Sequence, residues 1–158
     1  GFVYKIHLLF FQAPQRVTKL IINGSGSTFN TDEQLARAME GTKKNASIEM
    51  LDTSLAKCRT RSEGSVYDPY SIPDALAFMR LTSYSQPQTL EAWSTQLDAM
   101  MDIDGLRPYR IFDRLEELEA ETLVVWGRQD PRGLHEQAVA GVDRMPNARL
   151  VTYAHSGH

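Results

Sequence analysis

The ten residues Thr122–Pro131, TLVVWGRQDP, constrain this chain more than any other stretch. Leu123, Val124, Val125 and Trp126 form a short continuous apolar run, and Gly127 to Pro131 close it with turn residues. A run of that length, bounded in that way, fits a strand buried on both faces of a parallel sheet. In open parallel sheets the chemistry collects just outside the carboxyl ends of the strands. Asp130 falls there, in the loop that leaves the strand. A further strand is expected over Ala148–Tyr153, and it runs into Ser156-Gly157-His158. An acid beyond one strand and a histidine beyond the next can meet above the sheet. Such a pair is the orienter and the base of a nucleophilic site.

The segment before these strands alternates in character. Phe2–Gln12 reads as an apolar helix ended by Pro14, and Val17–Ile22 (VTKLII) as a β-branched strand. The strand runs into Asn23–Ser27, a glycine loop that lets backbone approach closely. Four helices are then expected without an intervening strand. Thr31 to Gln34 has capping-box form and opens a helix to about Gly41; Asn45 caps a second through about Cys58, with Ile48, Leu51 and Leu55 on one face. After a polar loop, Arg59–Tyr70, a third helix starts at Pro73 and reaches Tyr84. Pro87 opens the fourth, which ends near Ile103 with Leu90, Trp93, Leu97 and Met100 or Met101 inward. Asp104-Gly105 reads as a turn. A short amphipathic helix, Ile111–Leu118, leads into the Thr122 strand, and Leu134–Arg144 is a helix. Four helices between two sheet segments read as an insertion. Helix, turn, strand and glycine loop at the start read as a motif entered in its middle, and no helix follows the last strand; both ends read as cut.

Bulk properties narrow the partners. A chain of 158 residues, 42% hydrophobic and 23% charged, has the composition of a globular protein large enough for one real core. A net charge of −3 gives no reason to expect nucleic acid or an anionic membrane as partner. No apolar run approaches the roughly 20 residues of a membrane helix, and the N-terminal stretch lacks the charged start and small-residue cleavage site of a signal peptide. The lone Cys58 excludes an internal disulfide and fits a reducing, cytoplasmic setting.

Three pieces in order, PQRVTKLIINGSG at Pro14–Gly26, TLVVWGRQDP and NARLVTYAHSGH at Asn147–His158, resemble the second half of the α/β-hydrolase fold. The resemblance covers essentially the whole chain. It implies an α/β architecture made of the last three parallel strands with flanking helices plus a four-helix cap insertion. Residues 1–27 would form one core sheet segment, 28–108 the helical cap, and 109–158 a second core segment with the triad acid and histidine. In that family the order is nucleophile, acid, histidine, which implies Asp130 as the acid and His158 as the base. The family's nucleophile elbow, G-x-S-x-G, is not in this sequence; Gly24-Ser25-Gly26 has the wrong spacing and follows the wrong strand. Nucleophile and oxyanion hole are therefore expected upstream of Gly1, and these 158 residues alone are expected to be inactive.

Within the insertion, Asp74–Trp93, with Arg80-Leu81 and Thr89-Leu90-Glu91, looks like the cap of meta-cleavage-product hydrolases. Those enzymes hydrolyse a carbon–carbon bond in dienoate products of aromatic ring opening. The likeness implies that Arg80 binds the substrate's carboxylate or oxyanion, for which a guanidinium fork is suited. Trp93, otherwise core or pocket wall, is the cap aromatic assigned to substrate binding. An esterase, a lactonase, a dehalogenase or epoxide hydrolase with an aspartate nucleophile, and a non-catalytic small-molecule receptor are the alternatives on the same scaffold. The substrate is a small molecule; no cofactor and no metal are implied; a homo-oligomer stays open. Plainer roles compete at each site. Asp130 before Pro131 is also common turn chemistry, His158 is also a terminal residue, and Arg80 is also an ordinary surface cation. His155 with His158 lacks the carboxylate or cysteine company of a metal site. His7 reads as a core residue, His135 as solvated, and Cys58 as an unpromising nucleophile at a polar helix end.

Overall fold

The computed structural model describes residues 9–49 and 53–158. Three strands, β1 (Lys19–Asn23), β2 (Glu121–Gly127) and β3 (Ala148–Tyr153), form one parallel sheet in the order β1-β2-β3. The register pairs Lys19 with Glu121 and Asn23 with Val125 on one side of β2, and Thr122 with Ala148 and Gly127 with Tyr153 on the other. All three carboxyl ends therefore face one rim. The expected last strand is found with its bounds unchanged. The first begins two residues later than expected and alternates, with Leu20 and Ile22 buried and Lys19, Ile21 and Asn23 exposed. β2 alternates as well, between buried and half-buried positions. Burial on both faces, as the apolar run implied, is thus too strong; one face of the sheet is packed and the other partly open.

The packed face receives Phe10, Phe29, Ile111, Leu115, Leu118 and Ala138, gathered around Val124 and Trp126. Helix α1 (Gly26–Phe29) replaces the second half of the expected glycine loop and drives Phe29 into this core, 5.7 Å from the Trp126 ring. Trp126 buries its indole without loss because Nε1 donates to the Gly133 carbonyl at 2.8 Å. The helix expected over Ile111–Leu118 is instead a kinked 3₁₀ segment, Phe112–Glu117, which still buries Leu115. Helix α7 (His135–Val142) packs on β2 and β3. The start of the expected Phe2–Gln12 helix, with His7, lies outside the described residues; residues 9–12 are helical.

Helix α2 (Asp32–Glu49) begins with the reciprocal capping box read in the sequence. The Thr31 N–H donates to Gln34 Oε1 at 2.9 Å and the Gln34 N–H to Thr31 Oγ1 at 3.2 Å. It then runs through Gly41 and Asn45, where the sequence had suggested a break. An interior glycine costs only about 1 kcal/mol, which packing against α5 (Pro87–Met101) offsets. The next helix, α3 (Leu55–Glu63), is capped by Ser54 and occupies the first half of the expected polar loop. Arg59 bonds Glu63 one turn on at 3.1 Å and, beyond the helix, bonds the Ile72 carbonyl at 3.1 Å and pairs with Asp74. Cys58, expected at a polar end, is 2% exposed in the middle of this helix. Helix α4 (Asp74–Tyr84) follows Pro73 as expected and packs on α3. On α5, Leu97 is buried and Trp93 half-buried; the side chains of Ile48, Leu51, Leu90 and Met100 lie outside the described ones. Asp104-Gly105 belongs to a short helix, α6 (Ile103–Leu106), rather than a bare turn.

The chain enters and leaves this helical layer through a shared neck. Asp32 at the entry pairs with Arg107 and Arg110 at the exit, and Arg110 also donates to the Asn30 carbonyl. Among the described residues no helix is long and apolar enough to cross a membrane.

Candidate active site

β2 delivers Asp130 and β3 delivers His158 to the same carboxyl rim. After Gly127 the chain makes a turn in which the Asp130 N–H donates to the Gly127 carbonyl at 3.2 Å. Asp130 is 5% exposed. Its Oδ1 accepts from the N–H groups of Arg132 (2.7 Å) and Gly133 (3.2 Å), the local bonding that makes aspartate a turn former. Its Oδ2 is thereby aimed outward and meets His158 Nδ1 at 2.8 Å. One carboxylate thus closes its own turn and pairs with the imidazole, one oxygen each. With Asp130 ionised, Nδ1 is the protonated nitrogen, and Nε2 is left to accept a proton.

Two loops lie beside His158. Gly24, at the end of β1, has φ +55°, and a Cβ there would stand 3.5 Å from His158 Cε1 and Nδ1. The left-handed backbone explains why glycine occupies that position. From the other side comes the turn between α3 and α4. The His158 N–H donates to the Ser65 carbonyl at 2.7 Å. A Cβ on Gly157 would lie 2.6 Å from that same carbonyl oxygen and 2.8 Å from the Val66 backbone. His155 adopts φ +53° and its ring lies 5.1 Å from that of Tyr67. Beside them lies an open cavity of about 460 Å³ whose walls include Asn23, Val66, Tyr67, Asp68, His155 and His158.

Of the four site residues read from the sequence, the structure brings Asp130 and His158 together and leaves the other two apart from them. Arg80, on α4, donates to the Tyr84 hydroxyl at 3.2 Å, and its guanidinium is 5.8 Å from the Tyr84 ring. Trp93 meets the same Tyr84 edge-on at 6.2 Å. Arg61 joins the group, 4.9 Å from the Trp93 ring and 5.3 Å from Tyr84. Neither Arg80 nor Trp93 lines the cavity beside His158. Sequence reasoning missed Ser65, Val66 and Tyr67, because nothing in a polar loop announces that it will cover a histidine some ninety residues later. His135, read as solvated, is half-buried and bonds Thr152 through Nε2 at 2.9 Å. Among the described residues no group of three or more histidine, cysteine or acidic side chains is arranged to hold a metal.

No family model matches the chain. It is 30% identical over 151 residues to a 2-hydroxy-6-oxononadienedioate/2-hydroxy-6-oxononatrienedioate hydrolase of Cupriavidus pinatubonensis, covering 92% of this chain and 48% of the relative. The chain spans about half the length of the curated relatives it matches. Among solved structures, the 2-hydroxy-6-oxo-6-phenylhexa-2,4-dienoate hydrolase of Rhodococcus sp. strain RHA1 superposes with a TM-score of 0.71 at 22% identity, over 96% of this chain and 52% of that one. Est816, described as an N-acyl homoserine lactone degrading enzyme, gives 0.60 at 25% identity over 97% and 56%. The described residues therefore carry the α/β-hydrolase fold, with three of its parallel strands and a helical insertion.

Proposed function

We propose that this chain, with its α/β-hydrolase fold, supplies the acid and the base of a hydrolytic site for a carboxylate-bearing dienoate, a product of aromatic ring cleavage. The observation that carries the reading is the 2.8 Å contact between His158 Nδ1 and Asp130 Oδ2 at a rim that opens into the cavity. Asp130 holds the imidazole in one tautomer and stabilises it when charged. His158 Nε2 takes the proton of the attacking group and returns it to the leaving carbon. The curated relatives, named as hydrolases of dienedioates and trienedioates, supply the substrate class. Arg80 is the proposed partner of the substrate's carboxylate, and Trp93 a wall of the same subsite. The attacking group is proposed to lie outside these residues, since the sequence has no G-x-S-x-G. A serine-directed fluorophosphonate is accordingly expected to leave the isolated 158 residues unlabelled.

In the full chain, His158→Ala is expected to lower kcat by about 10³-fold or more with an unchanged melting temperature. Undiminished turnover would remove His158 from the mechanism. A second reading, hydrolysis of a neutral ester or lactone, is favoured by one feature. The described cavity wall contains the Asp68 carboxylate and no lysine or arginine. Arg80→Ala separates the two. A carboxylate-bearing dienoate should lose at least tenfold in kcat/KM while a neutral ester of similar size loses little; equal losses support the second reading.

A further inference from the structure

The acid and the base of the proposed site belong to different strands, and the loop that carries His158 has few anchors. It leaves β3 at Tyr153 and passes through the left-handed His155. The described hydrogen bonds that fasten its backbone are four. Arg128 donates its N–H to the Tyr153 carbonyl at 2.9 Å, Gln129 its N–H to the Ser156 carbonyl at 3.1 Å, and His158 its N–H to the Ser65 carbonyl at 2.7 Å. The fourth is the Ser156 N–H, which donates to Gln129 Oε1 at 3.2 Å. Three of these are main-chain pairs that any residues could make. The fourth depends on one side chain.

We infer that Gln129 is a positioning residue for His158. Its main-chain N–H and its side-chain carbonyl grip both polar groups of the Ser156 peptide position, so the side-chain amide acts as one more rung between two loops. Gln129 is also the immediate neighbour of Asp130. A displacement of the β2 loop therefore carries acid and base together rather than apart. That matters because the imidazole must keep its place while it alternates between neutral and charged forms in each turnover. A carboxylate–imidazole bond alone would let the ring swing about Asp130 Oδ2. The role requires an acceptor at the end of a side chain of this length, and it makes no demand for donor groups or neutrality. Gln129→Glu keeps that acceptor; Gln129→Leu, with similar bulk, removes it.

The inference rests on the acid–base reading of Asp130 and His158, and the test keeps the two separable. The full chain, Gln129→Leu, Gln129→Glu and Asp130→Asn are compared by proton and nitrogen NMR of the His158 ring and by hydrogen exchange at the Ser156 amide. In the unaltered chain the Nδ1 proton should be shifted downfield and protected from exchange. Gln129→Leu should speed exchange at Ser156 by tenfold or more and weaken the Nδ1 proton signal, whereas Gln129→Glu should restore both. Where turnover is measurable, Gln129→Leu should lower kcat several-fold with KM nearly constant. Should Gln129→Leu fail to fold, the Ser156 amide of the unaltered chain decides: protection supports the rung, and exchange at the unfolded rate overturns it. Equal ring signals in Gln129→Leu and Gln129→Glu would overturn the positioning role alone. An Nδ1 proton unchanged by Asp130→Asn would instead overturn the pairing on which it depends.

Discussion

Asp130 shows how much a single side chain can carry. One carboxylate oxygen closes its own turn and the other receives the imidazole, so neither oxygen is free to wander. Gly157 is its counterpart beside His158. It has no side chain because the Ser65 carbonyl and the Val66 backbone fill the space a Cβ would need. Both obstacles are main chain and cannot swing aside as a side-chain tip could. Gly157→Ala is therefore expected to destabilise the protein by about 1–3 kcal/mol and to break the bond from the His158 N–H to Ser65. Denaturant unfolding reads the first effect and amide exchange at His158 the second. An alanine variant with native stability and a protected His158 amide would mean that the cap turn is not seated as described. Asp130 was legible as a candidate from the order strand, turn, acid. Ser65 was not, because its part in the site is played by a main-chain carbonyl, which every residue has.

At the scale of elements, the 3₁₀ segment Phe112–Glu117 is tied to the turn that follows α7 and to itself by two arginines. Arg144 donates to Glu116 at 2.6 and 3.0 Å, and Arg114 to Glu117 at 2.9 and 2.5 Å. The arginine hydrogen bond holds each glutamate carboxyl below its ordinary value. A depressed carboxyl contributes stability that is present above its unfolded pKa and is lost as pH falls through the lower folded value. Thermal midpoints are thus expected to fall on acidification below about pH 4.3. Glu116→Gln should flatten part of that fall while leaving the midpoint at pH 7 only slightly lower, as expected of exposed pairs. Parallel acid profiles for the two proteins would remove Glu116 from the linkage. The same segment also explains a misreading. Ile111, Leu115 and Leu118 have helical spacing, but Arg114 takes a non-helical conformation inside the segment. Its guanidinium lies 3.7 Å from the Phe11 ring centre, a contact that pattern alone could not reveal.

For the molecule as a whole, the exposed face and outer edge of β1 are the notable liability. Ile21 is 70% exposed between Lys19 and Asn23, and β1 has no strand partner on its outer edge among the described residues. Such an edge templates pairing with other chains. Ile21→Lys is expected to lower light scattering of concentrated samples of these 158 residues, with stability changed by no more than about 0.5 kcal/mol. Scattering that is undiminished would place the sticky surface elsewhere. The neck belongs to this scale too. Asp32, Arg107 and Arg110 join entry and exit of the helical insertion across 75 residues or more of chain.

Sequence by itself determined the bounds of β3, the capping box at Thr31 and the meeting of Asp130 with His158 beyond the strands. The first two are local: apolar runs, turn residues and side chains that bond within a few positions decide them before any distant contact forms. Tertiary structure alone decided that Arg59–Glu63 is helix, that Gly41 does not break α2, that Arg80 turns to Tyr84 and that Ser65 and Gln129 hold the histidine loop. Each of those depends on a partner brought near by folding, and a partner's distance in space is not written in the spacing of residues along a chain.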